Sequence, residues 1–286
     1  MPKVITDLLG RQWDHYDDSN YTELTGTLAT GDAHPHVVVA GEKRFLAALK
    51  PRMPMASQAI PYSASGLQLY SESDFAAIIA DRNANGSWPM NFCDFACKDQ
   101  NGHSSCWGSA PTHGAQMKAR IQGLPGEEWS TCSVTGPITG YSDVGGYGEN
   151  ALNYLQEHGA VPARLWPNNS YSRSYFTTTN TERIRFKVLV RVEITTWQEM
   201  FSAIAQGHPT HNDLGWWSHV ICGVAFVDPS TLIIRNSWSD DWGNKLTFPN
   251  GAVTGGFSTL AKNKAIDLGS GNTYAIVEVT SYAAAA

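Results

Sequence analysis

The stretch Asp99-Gln100-Asn101-Gly102-His103-Ser104-Ser105-Cys106-Trp107 sets a cysteine among small residues where a helix is expected to begin. A helix N-terminus favours the thiolate, which is the nucleophilic form of the side chain. Taken alone, Cys106 reads equally as a small buried hydrophobe, the fate of most lone cysteines. A second stretch changes the balance. His219 opens the apolar run Val220-Ile221-Cys222-Gly223-Val224, and Leu232-Ile233-Ile234-Arg235 leads into Asn236-Ser237-Trp238-Ser239-Asp240-Asp241-Trp242-Gly243. Two neighbouring strands would bring His219 and Asn236 to adjoining ends. An imidazole beside a cysteine takes up the thiol proton, and an amide oxygen on its other ring nitrogen fixes its tautomer and orientation. The other candidates are weaker. His208 and His211 have no apolar strand behind them and are expected at the surface, and His34-Pro35-His36 reads as loop.

The elements that must position these groups are written in the patterning. The chain has 286 residues, 42% of them apolar and 16% charged, which suits a globular core. With 20 Lys plus Arg against 26 Asp plus Glu the formal net charge is −6, so no basic surface points to nucleic acid. No apolar run has the length of a membrane span, and no signal-peptide core follows Met1-Pro2-Lys3, so a cytoplasmic or particle-associated protein is expected rather than a secreted one. Five scattered cysteines are not a disulfide scaffold, and their spacing to histidines closes no zinc tetrad.

Helices are expected over Ser73–Ala80 and Glu149–His158. A third should start at the capping box Thr196-Trp197-Gln198-Glu199, with Trp197, Met200, Phe201 and Ile204 on one face and Gly207 after it. Phe186, Val188, Val190, Val192 and Ile194 alternate as in a strand, and Val220–Val227, Leu232–Arg235 and Tyr274–Val279 are further strands. Helices come mainly early and strands mainly late, so the fold class is α+β. Residues 1–73 differ. They hold a short strand at Val37–Val39, the apolar run Phe45–Leu49 and a Pro-punctuated, extended stretch from Pro51 to Pro61. They read as an N-terminal extension that docks or wraps, residues 74–282 as the main domain and 283–286 as a tail.

The set of motifs resembles the papain-like cysteine peptidases, whose Gln, Cys-Trp, His and Asn-Ser-Trp segments stand in this order. The resemblance spans roughly residues 85–282. It implies a two-lobe α+β fold, with a helical lobe carrying the cysteine and a β-barrel-like lobe carrying the histidine and asparagine. It further implies Cys106 as nucleophile, His219 as general acid/base and Asn236 as its orienting partner. Gln100 and the Cys106 N–H would form the oxyanion hole. Trp238 shields the His–Asn bond, with Trp107 also supporting, and Gly145, Gly146 and Ser218 line the substrate cleft. The reaction implied is hydrolysis of a peptide or protein substrate through an acyl-enzyme, with no cofactor and no metal.

The chain also departs from that pattern. His103 and Asp143 stand where the family has the two halves of a disulfide, so the bridge is expected to be absent. His219 follows Cys106 by 113 residues and Asn236 by 130, a shortening that falls in Pro209–Ser218, part of the family's specificity pocket. Side-chain preference is therefore not carried over, and Trp216 and Trp217 read equally as pocket wall or core. Ser218 replaces the family's usual acidic or amide residue. Pro111, a turn or so into the nucleophile helix, is expected to kink it. The helical prosegment pattern of the family is not recognisable in residues 1–73, which could cover the cleft or bind a larger partner. A second reading is thus a papain-like structural or assembly component of a virion or phage tail. A third is a transglutaminase-like enzyme with Asp228 orienting the histidine, against which Asn236-Ser237-Trp238 argues.

Overall fold

Alternating apolar residues build the longest strands, and these run through a mixed sheet. The computed structural model describes residues 2–20, 59–124, 126–177, 184–267 and 272–283, with the strand backbones at 27–28, 36–39 and 42–45. Among the described residues the strands are β1 Lys3–Thr6, β2 Gln12–Tyr16, β3 Thr27–Leu28, β4 His36–Val39, β5 Glu42–Phe45, β6 Ile60–Pro61 and β7 Ile184–Ile194. They continue as β8 Thr210–Leu214, β9 His219–Asp228, β10 Thr231–Arg235, β11 Asn244–Thr247, β12 Val253–Ala261 and β13 Thr273–Ala283. The main sheet has the order β1-β2-β12-β10-β9-β8-β13-β7-β6, with β11 also paired to β12, while β3-β4-β5 form a small sheet of their own. Pairing is antiparallel except where β2 joins β12 and β6 joins β7.

Among the described residues the α-helices are α1 Phe75–Asn85, α2 Cys106–Ile121, α3 Cys132–Ile138, α4 Gly148–Glu157, α5 Trp197–Ala205 and α6 Lys262–Ala265. The expected capping box closes α5 at its start: Thr196 Oγ1 accepts from the Glu199 N–H, and Glu199 Oε2 accepts from the Thr196 N–H. The sheet separates two apolar layers. On one face, Phe75 of α1 and Phe201 of α5 stack and pack with Trp88 and Phe226. On the other, α2 and α4 supply Cys106, Trp107, Leu152 and Leu155 against Val220, Ile276 and Phe186. The chain is α+β, as its patterning implies.

The expected strand at Val37–Val39 lies within β4, and Phe45 ends β5. Leu46–Leu49, the proline stretch as far as Gln58, and the Ala284–Ala286 tail lie outside the described residues. The described flanks of the N-terminal segment belong to the main sheet: β1 and β2 extend it beyond β12, and Ile60-Pro61 pair with Val192-Glu193. Trp13 on β2 is fully buried, and its indole N–H donates to Asp7 Oδ2 at 3.0 Å. Asp7 also accepts from the backbone N–H groups of Leu9 and Arg11 and from the Arg11 guanidinium. Burial pushes its carboxyl up, but the bonds from Trp13 and Arg11 outweigh that and hold it below the usual range. Trp13→Ala removes a large core side chain and leaves a cavity, so urea unfolding should lose about 3–5 kcal/mol with little change in slope.

Candidate active site

The nucleophile candidate stands at the first position of α2, after Ser105. Pro111 removes one intrahelical hydrogen bond, yet the helix continues as one element to Ile121. A Cβ built on Gly114 would meet Cys222 Sγ at 3.4 Å, so this part of α2 lies directly on β9. Eight residues back along the helix is about 12 Å. Three residues back along the strand is about 10 Å. Val220 shares an apolar cluster with Cys106 and Trp107, which fixes the direction. The starts of α2 and β9 therefore lie toward the same end of their contact, with Cys106 and His219 at similar distances from it.

His219 Nε2 lies 2.6 Å from Asn236 Oδ1. That oxygen also accepts from the Ser237 N–H at 2.8 Å, and an amide oxygen can only accept, so Nε2 carries the ring proton. Nδ1 is then the basic nitrogen. It is buried and has no hydrogen-bond partner among the described residues. The ring lies between Trp217 and Trp238, with centroids 4.7 and 4.9 Å away. Burial lowers the imidazole to about 4, with the Asn236 bond acting in the opposite direction. Trp217 is thereby a core residue, while half-buried Trp216 donates its indole N–H to Lys264 O.

Asn236 follows the last residue of β10, where Arg235 pairs with Cys222. The Arg235 guanidinium is fully buried between the rings of Phe95 and Phe257, at 4.8 and 5.0 Å, and donates to the carbonyls of Cys93 and Phe95. Cys97 Sγ donates to Asn236 O at 2.9 Å, and burial pushes that thiol up to about 12, so it stays protonated. Gln100 is tied to the same segment. Its N–H donates to Ser237 O, and its Oε1 accepts from Ser237 Oγ at 2.7 Å, which turns Nε2 to the other side as the donor, bonded to His103 O at 2.9 Å. An Asp99–Trp238 bridge continues the seam. The structure thus brings Gln100, Cys106, His219 and Asn236 into one neighbourhood.

The remaining candidates surround it. A Cβ on Gly146 would fall 2.5 Å from the Trp107 indole, so only glycine permits this approach, and Gly145 precedes it on the same segment. Ser218 ends the four-residue loop between β8 and β9 with φ of +52°, a left-handed conformation unusual for serine. One expectation is corrected. His211 is fully buried, its ring against Gly148 and stacked on Tyr274 at 6.0 Å. His208 is half-buried, with Nδ1 taking a hydrogen bond from Lys118 Nζ at 3.0 Å.

Searches with the sequence match no family model and no curated protein. Solved structures do match. Digestive procathepsin L 3 of Tenebrio molitor larval midgut superposes with a TM-score of 0.55 at 14% identity, over 79% of this chain and 76% of that one. Procathepsin B S9 from Trypanosoma congolense gives 0.52 at 10%, over 81% and 87%, and the cysteine protease xylellain from Xylella fastidiosa 0.50 at 17%, over 80% and 98%. The fold is papain-like.

Within that papain-like fold, His103 and Asp143 are in contact. His103 Nδ1 lies 2.7 Å from Asp143 Oδ2, and Asp143 Oδ1 accepts from the Ser104 N–H at 2.9 Å. A side-chain hydrogen bond and a backbone hydrogen bond join the two positions at which the resemblance places a disulfide. Asp143 was visible in the sequence only as a missing cysteine. Arg235 and Cys97 carried no signal of their roles, because each acts through a partner distant in sequence. Asp143→Ala should free the Ser104 amide and speed its hydrogen exchange about tenfold, whereas Asp143→Asn keeps an acceptor and should change it less.

Proposed function

We propose that the chain is a cysteine-type endopeptidase working through Cys106, His219 and Asn236. The observation that carries this reading is the 2.6 Å bond from His219 Nε2 to Asn236 Oδ1, which leaves a buried, basic Nδ1 where β9 meets the first turn of α2. In this reading Nδ1 accepts the Cys106 proton, and the thiolate, favoured by the helix N-terminus, attacks the peptide carbonyl. The tetrahedral oxyanion is met by the Cys106 N–H and Gln100 Nε2. His219 Nδ1–H then protonates the leaving amine, and neutral Nδ1 next takes a proton from the water that hydrolyses the thioester. The Trp217 and Trp238 rings keep water from the His219–Asn236 bond, so its direction is held through both half-reactions.

Gly145 and Gly146 bring the backbone close to Trp107 beside the nucleophile, which suits a strip that pairs with an extended substrate. Cys106 and His219 are both fully buried, so a substrate reaches them only once the chain above them moves. The docking or cleft-covering role of residues 1–73 belongs to the same proposal.

Cys106→Ala should abolish cleavage of a denatured protein substrate, and His219→Ala should lower kcat/KM by about 10² to 10⁴. Asn236→Ala should cost less, because it loosens the base without removing it. Retained turnover in Cys106→Ala sinks the assignment.

The acid limb carries a second expectation. A histidine lowered to about 4 stays neutral, and able to act as base, at every pH above that value. As pH falls through about 4 it becomes protonated and kcat/KM should drop. A plot of kcat/KM against pH that breaks near the ordinary histidine value would instead show a solvated imidazole.

A further inference from the structure

One buried carboxyl takes no part in this chemistry. Asp213 on β8 is 3% exposed, and among the described residues its side chain has no hydrogen-bond or ion-pair partner. Its location follows from register. Asp213 pairs with Val220 and His211 with Cys222, and directly opposed residues of an antiparallel pair share a face. Cys222 lies against Gly114 of α2, and Val220 belongs to the same apolar cluster as Cys106 and Trp107. Asp213 therefore stands on the face that carries the nucleophile. The other residues of β8 confirm the alternation: Asn212 bonds Met200 Sδ and Ala265 O on the opposite side.

The segment after Gly145 crosses the same face, since Gly146 touches Trp107 and Gly148 touches His211, two residues from Asp213. Asp213 thus lies between the strip that approaches the nucleophile and the strand that begins with His219.

The charges around it are unbalanced. The Asp267 carboxylate is the charged neighbour that acts on Asp213. Glu149, at the start of α4, is linked to the backbone neighbourhood of Asp213 through Asn272. Arg191, a cation on this face, is held by Asn153 Oδ1, the Glu149 carbonyl and the Tyr274 ring. Burial and the Asp267 charge push the Asp213 carboxyl up to about 8, so near neutral pH it rests mainly as the neutral acid. A lone acid of that kind gains little stability from its position. An arriving ammonium or guanidinium would ionise it and form a charge-assisted hydrogen bond out of bulk water.

We propose that Asp213 is a specificity residue that makes this cleft select peptides with a lysine or arginine side chain next to the scissile bond. The inference rests on the peptidase reading for the meaning of the cleft, but its test reads binding as well as turnover. Alanine-based hexapeptides carrying a single Lys, Arg or Leu, moved through each position in turn, are titrated into full-length Cys106→Ala and cleaved with the wild type. At one position the cationic peptides should bind Cys106→Ala about tenfold or more tighter than the leucine peptide. Adding Asp213→Asn, near-isosteric with the neutral acid, should bring the ratio close to one.

Equal affinity for Lys and Leu peptides overturns the proposal without any second substitution, as does a preference that survives Asp213→Asn. Wild-type cleavage of those peptides would then leave the peptidase reading standing. Cationic peptides bound in an Asp213-dependent way but never cleaved would support the site and sink the peptidase. Peptides that neither bind nor are cleaved sink both.

Discussion

The hydrogen bond from His219 Nε2 to Asn236 Oδ1 is the constraint around which this chain is arranged. It joins the first residue of β9 to the first residue after β10, so it exists only while those strands keep their register, Arg235 opposite Cys222. It also decides which ring nitrogen can act as a base. In water such a bond would exchange with solvent and specify nothing. Between the Trp217 and Trp238 rings it has no competitor, and an amide oxygen already taken by the Ser237 N–H admits only a donor. A low imidazole basicity follows from the same enclosure that fixes the tautomer.

Everything near the bond is tied to the segment that carries Asn236. Gln100 meets Ser237 through backbone and side chain, Asp99 bridges to Trp238, and the Cys97 thiol donates to the Asn236 carbonyl. Arg235 fastens Cys93 and Phe95 from below, and Asp240 Oδ1 accepts from the N–H groups of Cys97 and Gly255. The loop before the cysteine and the loop after the asparagine are therefore one mechanical unit, although they are more than 130 residues apart. Breaking one buried partner would leave the others unsatisfied, which costs more than a single hydrogen bond contributes.

The sequence is readable where function and local pattern coincide. The Cys-Trp and Asn-Ser-Trp segments are contiguous, the strands behind His219 and Asn236 are mainly apolar, and the capping box at Thr196 announces α5 in four residues. Strand β8 is the opposite case. Thr210-His211-Asn212-Asp213-Leu214 is entirely buried yet contains four polar residues, so no apolar alternation marks it. Its Thr210 and Asn212 are satisfied by one another and by Met200 and Ala265, partners that only the fold supplies. Strand β2 was hidden for a related reason, since its partner on β12 lies more than 240 residues away. His211, expected at the surface because no apolar strand stands behind it, is buried against Gly148 and the Tyr274 ring.

The exchange of a disulfide position for His103 and Asp143 fits the state of the cysteines. None of the five is in a disulfide, and all are buried. Burial raises the thiols of Cys93, Cys97, Cys132 and Cys222, with Cys97 and Cys132 reaching about 12, so these four stay protonated and poorly nucleophilic. None is asked to hold the fold through a covalent bridge. The loop before Cys106 is braced by a side-chain and a backbone hydrogen bond to Asp143, neither of which a reductant can cut. A reducing environment therefore cuts no disulfide in this chain, and it keeps Cys106, at the N-terminus of α2, in the thiol form from which a nucleophile is made.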